Sequence, residues 1–167
     1  MQKLDKKFFE GDSENVAKNL IWKLIKVWEK QGIIFETEAY KWLCDKASHA
    51  YLKKTPRNSL MYDSFGKVYV YLIYWMHYCL NFTSDKTKPW AVLIRWIIDF
   101  ETKKVYDWPW KLTKFFWIDK SFNWEDLINS QKIEIFDKNI KVINIRKTWR
   151  IWIKKATDKL WRFVWEF

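Results

Sequence analysis

Lys67-Val68-Tyr69-Val70-Tyr71-Leu72-Ile73-Tyr74 and Met76-His77-Tyr78-Cys79-Leu80-Asn81-Phe82-Thr83 stand on either side of one residue, Trp75. Both runs are rich in β-branched and aromatic residues, and their closeness predicts two strands joined as a hairpin. Alternation sets Tyr69, Tyr71 and Ile73 on one face and Val68, Val70 and Leu72 on the other. The aliphatic face suits a core, and the tyrosine face suits an aromatic wall. Tyr74 ends its strand at the hairpin tip, where a ring can project outward. Further strands are expected at Lys23 to Val27, Ile33 to Tyr40, Ala91 to Ile98, Lys132 to Phe136, Val142 to Arg146 and Arg150 to Lys154. Asp12 and Ser13 are N-cap candidates for a helix from Glu14, with Val16, Ala17, Leu20 and Ile21 at helical spacing. Leu112 to Trp117 and Trp124 to Asn129 read as short helices. The polar segment 41–64 contains a turn signal at Thr55-Pro56-Arg57-Asn58. Short connections between consecutive strands favour a mainly antiparallel sheet with packed helices, an α+β domain over residues 1–167.

Lys and Arg number 31 against 20 Asp and Glu in 167 residues, a formal net charge of +11. That surplus points to a polyanion, nucleic acid before anionic membrane. The longest apolar run, Val68 to Met76, is far short of the roughly 20 residues of a spanning helix. Met1-Gln2-Lys3-Leu4-Asp5-Lys6-Lys7 lacks the apolar stretch of a secretory signal. Cys44 and Cys79 are the only cysteines, which fits a reducing compartment and no disulfide framework.

Alternation along Ile33 to Tyr40 puts Glu36, Glu38 and Tyr40 on one face, and Phe35, Thr37 and Ala39 on the other. Carboxylates in so apolar a strand are either solvated or part of a site. One of them can serve as a general base that deprotonates a water. A glycosidase-type acid and base pair is the alternative, though the net charge of +11 suits a polyanionic substrate better than a neutral sugar. Cys44, Asp45 and His49 lie close together, and His77 and Cys79 follow, yet no Cys-x-x-Cys or His-Glu-x-x-His spacing occurs. No Gly-rich phosphate loop occurs either, so neither metal nor cofactor is expected.

The order of short strings is more telling than any one of them. Glu36-Thr37-Glu38-Ala39-Tyr40, Ala47-Ser48-His49-Ala50, Thr55-Pro56-Arg57-Asn58, Tyr69-Val70-Tyr71-Leu72-Ile73-Tyr74, Met76-His77-Tyr78-Cys79-Leu80-Asn81 and Ala91-Val92-Leu93-Ile94-Arg95 succeed one another. Together they closely resemble the alkyladenine (3-methyladenine) DNA glycosylase family. The resemblance runs from about Asn15 to the closing Trp161-Arg162-Phe163, with the chain shorter than typical members around 99–107 and 131–148. It implies that a damaged nucleotide is flipped out of the duplex and its base released by water. Glu38 then matches the catalytic base, and Arg95 an arginine that helps order the water and the backbone. Tyr40, His49 and Tyr71 match the rings that sandwich the flipped base. Asn81 matches the asparagine that disfavours the guanine 2-amino group, and Tyr74 the wedge left in the duplex; Glu36, the other carboxylate of the strand, keeps a structural reading as a hydrogen-bonded neighbour. The implied partner is double-stranded DNA carrying an alkylated or deaminated purine: 3-methyladenine, ethenoadenine or hypoxanthine. The implied protein is a monomer of the bacterial cytoplasm, associated with the nucleoid. A non-catalytic module that binds distorted DNA through the same wedge is the competing class.

One feature of the composition is abnormal: 14 Trp beside 3 Gly. Trp22, Trp42, Trp75, Trp90, Trp108, Trp110, Trp117, Trp124, Trp149 and Trp152 stand where the family resemblance or turn chemistry places glycine. Trp75, between two hairpin strands, is the sharpest case. A gene that uses UGA for glycine, read with UGA as tryptophan, produces this pattern, and restoring glycine there returns an ordinary glycine content. Trp161 matches a family tryptophan, while Trp28, Trp96 and Trp165 are left open.

Overall fold

In the computed structural model, which describes residues 1–140 and 142–166, ten strands form one antiparallel sheet. They are β1 (Gln2–Lys3), β2 (Leu24–Val27), β3 (Lys30–Tyr40), β4 (Val68–Ile73), β5 (His77–Ser84), β6 (Trp90–Asp99), β7 (Val105–Tyr106), β8 (Ile133–Asp137), β9 (Ile145–Thr148) and β10 (Arg162–Trp165). Three helices, α1 (Ser13–Leu20), α2 (Ser59–Asp63) and α3 (Pro109–Phe116), complete an α+β fold whose sheet is curled into a half-barrel. The main path runs β1-β8-β2-β3-β6-β5-β4.

Strand β3 is the hub because it changes partners along its length. Its first half pairs with β2, from Lys30↔Val27 to Ile33↔Leu24. Its second half pairs with β10, where Glu36 faces Val164 and Glu38 faces Arg162. On its other edge it pairs with β6 throughout, with register shifts around Glu36. This bulge corrects the strict alternation expected from the sequence. Ile34 and Ala39 face the helix-side core, whereas Phe35 packs with Ile33 and Leu24 in a separate apolar cluster. An extra residue in a bulge reverses the side-chain parity beyond it.

The main core lies between the sheet and helices α1 and α3. Val16, Ala17 and Leu20 of α1 and Leu112 and Phe116 of α3 meet Ile34, Leu80, Phe82, Val92 and Ile94. The Asp12 side chain caps α1 by accepting from the Glu14 N–H at 2.7 Å. The Thr37 hydroxyl donates to Ala17 O at 2.7 Å and fastens α1 to β3. Gly32 is required by space, since a Cβ there would sit 2.7 Å from Ile97 Cδ1. Asn123 blunts the edge strand β4, accepting from Val70 N at 2.6 Å and donating to Val70 O at 3.1 Å.

Three expected elements differ. Residues 124–129 form turns and a bridge between Asp126 and Lys67 instead of a helix. The strand expected at 142–146 lies at Ile145–Thr148, with Lys141 outside the described residues. Residues 150–154 are bends, because Trp152 has φ 64° and Arg150 turns inward. Helix α2 and strand β10 were not anticipated.

The backbone also speaks to the tryptophans. Half of the non-glycine residues with positive φ among the described residues are tryptophans: Trp22, Trp28, Trp75, Trp117, Trp124 and Trp152. L-residues with large side chains avoid this region, which glycine occupies freely. Trp117 shows the demand clearly, since it ends α3 in the left-handed conformation at φ 57°. At Trp42, Trp90, Trp108, Trp110 and Trp149 φ stays outside that region, so turn geometry makes no demand for glycine there.

Candidate active site

A cleft of about 1320 Å³ opens between the β4–β5 hairpin, the segment after β3 and the loop before β10. Tyr40, His49, Tyr71, Tyr74, Asn81 and Arg95 all line it, so six of the seven residues singled out in the sequence converge on one concavity. The seventh, Glu38, is 0% exposed and lies behind this lining. Its Oε2 accepts from the Tyr40 hydroxyl at 2.8 Å, and its Oε1 accepts from the Ile151 N–H at 2.7 Å. Arg95 Nε lies 3.5 Å from the same Oε1.

These side chains meet because β3 and β6 pair antiparallel in the register that sets Leu93 across from Glu38. Arg95 is held by Glu36, whose Oε1 accepts from Arg95 Nε and from Arg162 Nε, each at 2.7 Å. Glu36 thus has the structural role, anchoring two cations from β6 and β10. Burial pushes the Glu38 carboxyl above the ordinary carboxylate range, opposed by Arg95, the Ile151 N–H and the Tyr40 hydroxyl, and reinforced by Glu36. A carboxylate raised in this way is suited to take a proton from water. Each of its oxygens keeps a second lone pair for that purpose.

The aromatic wall follows the predicted alternation. Tyr69 packs on a small cluster with Ala50, Leu60, Met61 and Ala91, while Val68 and Val70 enter the main core. The rings of His49 and Tyr71 meet edge to face with centroids 4.5 Å apart. His49 Nδ1 lies 3.0 Å from the Tyr69 hydroxyl. Desolvation in the cleft, and then the Arg57 guanidinium, draw the His49 imidazole down to about 4, so the ring is neutral at neutral pH. Burial pushes the Cys79 thiol up to about 12 and keeps it protonated. Asn81 spends its amide N–H groups on Tyr69 O at 3.1 Å and Cys79 O at 3.2 Å, which fixes its orientation. Tyr74 is 70% exposed at the hairpin tip.

Sequence reasoning missed two supports. Asn58 Nδ2 donates to His49 O at 2.7 Å and to Lys53 O at 3.0 Å, and so shapes the loop that carries His49. Arg150 is buried and paired with Asp45, a residue the sequence offered only as metal-ligand material. The glycine reading of Trp152 conflicts with a strand over 150–154, and the structure resolves that conflict in favour of a turn, with φ 64° at Trp152. Among the described residues, no three His, Cys, Asp or Glu side chains are grouped to hold a metal ion. None of the helices described is long and apolar enough to cross a membrane.

A buried carboxylate, an aromatic wall and a projecting ring, in a chain of net charge +11, are parts that an enzyme acting on an extruded base needs. Residues 7–166 match the methylpurine-DNA glycosylase family. A protein of Rickettsia felis, provisionally named a 3-methyladenine DNA glycosylase, is 41% identical over 96% of this chain and 92% of its own length. A relative from Ehrlichia chaffeensis with the same provisional name is 40% identical over 96% of this chain and 92% of its own. The chain belongs to the methylpurine-DNA glycosylase family, and it is therefore a DNA glycosylase, an enzyme of DNA repair.

Proposed function

We propose that this chain releases alkylated or deaminated purines from double-stranded DNA, with 3-methyladenine, ethenoadenine and hypoxanthine as substrates, and leaves an intact abasic site. The observation that carries this reading is Glu38, buried at the cleft with one oxygen near Arg95 and the other on Tyr40. Water is the nucleophile. Its oxygen bonds to the sugar C1′ as the N-glycosidic bond breaks, its proton passes to Glu38, and the bond pair leaves with the base. A cationic or polarised purine takes that pair most readily, so lesion chemistry supplies part of the selectivity. Arg95 orders the water and the adjacent backbone.

The flipped base is held among the rings of Tyr40, His49 and Tyr71, of which His49 and Tyr71 meet edge to face in the cleft. Flipping costs a few kcal/mol of unstacking and unpairing, least at a damaged or mispaired base. Tyr74 fills the space the base vacates. Asn81, held by its two amide hydrogen bonds, disfavours the guanine 2-amino group.

The test is incubation with a duplex carrying one hypoxanthine, or ethenoadenine or 3-methyladenine, followed by assay of free base and of alkali-labile abasic sites. Base release is the expected result. A folded protein that binds these duplexes and releases none of the three bases overturns the substrate assignment.

A further inference from the structure

The side chain of Arg150 is buried between the catalytic strand and two loops. Its guanidinium meets Asp45 fork to fork, Nη1 to Oδ2 at 2.6 Å and Nη2 to Oδ1 at 2.7 Å. Nη1 also donates to Ala39 O at 3.1 Å, between Glu38 and Tyr40 in the chain. The guanidinium carbon lies 4.6 Å from the centroid of the Tyr40 ring. Asp45 in turn accepts from Lys41 N and Ala47 N, each at 3.1 Å, and so organises the start of the loop that carries His49. The residue after Arg150 is Ile151, whose N–H reaches Glu38. One ion pair therefore governs both hydrogen bonds that Glu38 accepts, through the peptide next to it and through the ring beneath it.

Removing two charges from water is expensive, and a buried ion pair is often no more stabilising than apolar residues of equal volume. Its presence here calls for another use. We infer that Asp45 and Arg150 form a positioning clamp for the reaction, holding the Ile151 N–H on one oxygen of Glu38 and the Tyr40 hydroxyl on the other. The inference rests on Glu38 being the base. Neither Asp45 nor Arg150 lines the cleft, so the clamp acts through the carboxylate it orients. With the clamp loosened, Glu38 loses hydrogen bonds to its charged form and holds its proton more tightly. The other groups that face Glu38 stay in place: Glu36 on its own strand, Arg95 on β6, Tyr71 on β4, Cys79 on β5 and Arg162 across from it on β10.

The pair Asp45→Asn with Arg150→Gln removes both charges and, with a shorter side chain at 150, the fork, while leaving polar groups at both positions. Single-turnover base release is measured against pH for this variant, the native chain and Glu38→Gln, with duplex affinity measured in parallel. The clamp predicts about a tenfold lower plateau and an acid limb moved up by about one pH unit, with duplex affinity within about threefold of native. An unchanged plateau and acid limb, with only a lower melting temperature, overturns it and leaves a structural strut. If the double variant does not fold, Arg150→Lys, which keeps the charge and loses the fork, must show the same upward move of the limb. A native rate in Glu38→Gln overturns the base assignment instead, so the two failures are distinguishable.

Discussion

The two ends of the cleft are built on opposite principles. At the β3 end, Glu38 is 0% exposed and its carboxylate is fixed by Tyr40, Ile151 and the nearby Arg95. At the hairpin end, Tyr74 and Trp75 are 70% and 95% exposed and both have positive φ, at 49° and 61°. The Met76 N–H closes that turn on Ile73 O at 3.2 Å. On the function proposed above, chemistry at the buried end depends on the water exclusion and hydrogen bonds that set a pKa, and work at the exposed end on where a strained turn points a ring. Substitutions at the two ends should therefore fail in different assays.

The largest effect is expected at the buried end. Glu38→Gln should lower base release by roughly 10²–10⁴-fold while leaving duplex affinity near native. In the native chain the rate should fall about tenfold per pH unit below the Glu38 pKa, with the acid limb above the ordinary carboxylate range. Stability should move the other way. A carboxyl whose pKa is raised by folding contributes stability below its unfolded value, and that contribution is lost as pH rises through the folded value. Ionised Glu38 is therefore a burden on the fold at neutral pH, and Glu38→Gln should melt higher there. A variant that loses both activity and stability would break the distinction between catalytic and structural burial.

The next effect belongs to the tip. Tyr74→Ser removes an exposed ring with no core contacts, so the fold should be unaffected. Loss of one ring that stacks in the duplex, worth about 1–3 kcal/mol, should weaken lesion-duplex affinity by about 5- to 150-fold. Once a base is flipped its release should keep the native acid limb, because Glu38 is untouched. Duplex affinity of both proteins should also fall steeply with salt, given a net charge of +11, since neutralised phosphates release counterions.

The same division explains what was legible in the sequence. The hairpin is local: β-branched and aromatic alternation on either side of Trp75 sets both strands and their register without help from the rest of the chain. Helix α1 is equally local, since Asp12 caps a run of apolar residues at helical spacing. The catalytic strand was legible in position but not in parity. The bulge near Glu36 depends on pairing with β6, which no window around residue 36 contains. Arg150 was hidden for a similar reason. Its partners, Asp45 and Ala39, are more than a hundred residues away, and its neighbours Ile151 and Ile153 imitate a strand. The place of Trp152 among the glycine positions signals a turn, but not that the turn carries Arg150 inward.

A smaller and more pointed test concerns Trp75. At 95% exposure its indole packs on little, so Trp75→Gly sacrifices almost no buried area. A non-glycine residue held at positive φ costs about 1–3 kcal/mol, and glycine gives back about 0.4–1 kcal/mol through a freer unfolded chain. The strain is the larger quantity, so Trp75→Gly should gain about 1 kcal/mol, a rise in melting temperature of about 2–4 °C. Trp110→Gly is the matching control. Trp110 lies inside α3 and stacks on His77 with centroids 4.8 Å apart, so glycine there loses helix propensity and a ring contact and should destabilise. Opposite signs at the two positions would tie glycine to the backbone at 75 and not to tryptophan content. A peptide mass from the native protein that shows glycine at position 75 would then identify the tip residue as glycine in the cell. If instead the native mass is 20.8 kDa and Trp75→Gly weakens lesion binding, the strain at the tip belongs to the wedge, and two adjacent rings, not one, enter the duplex.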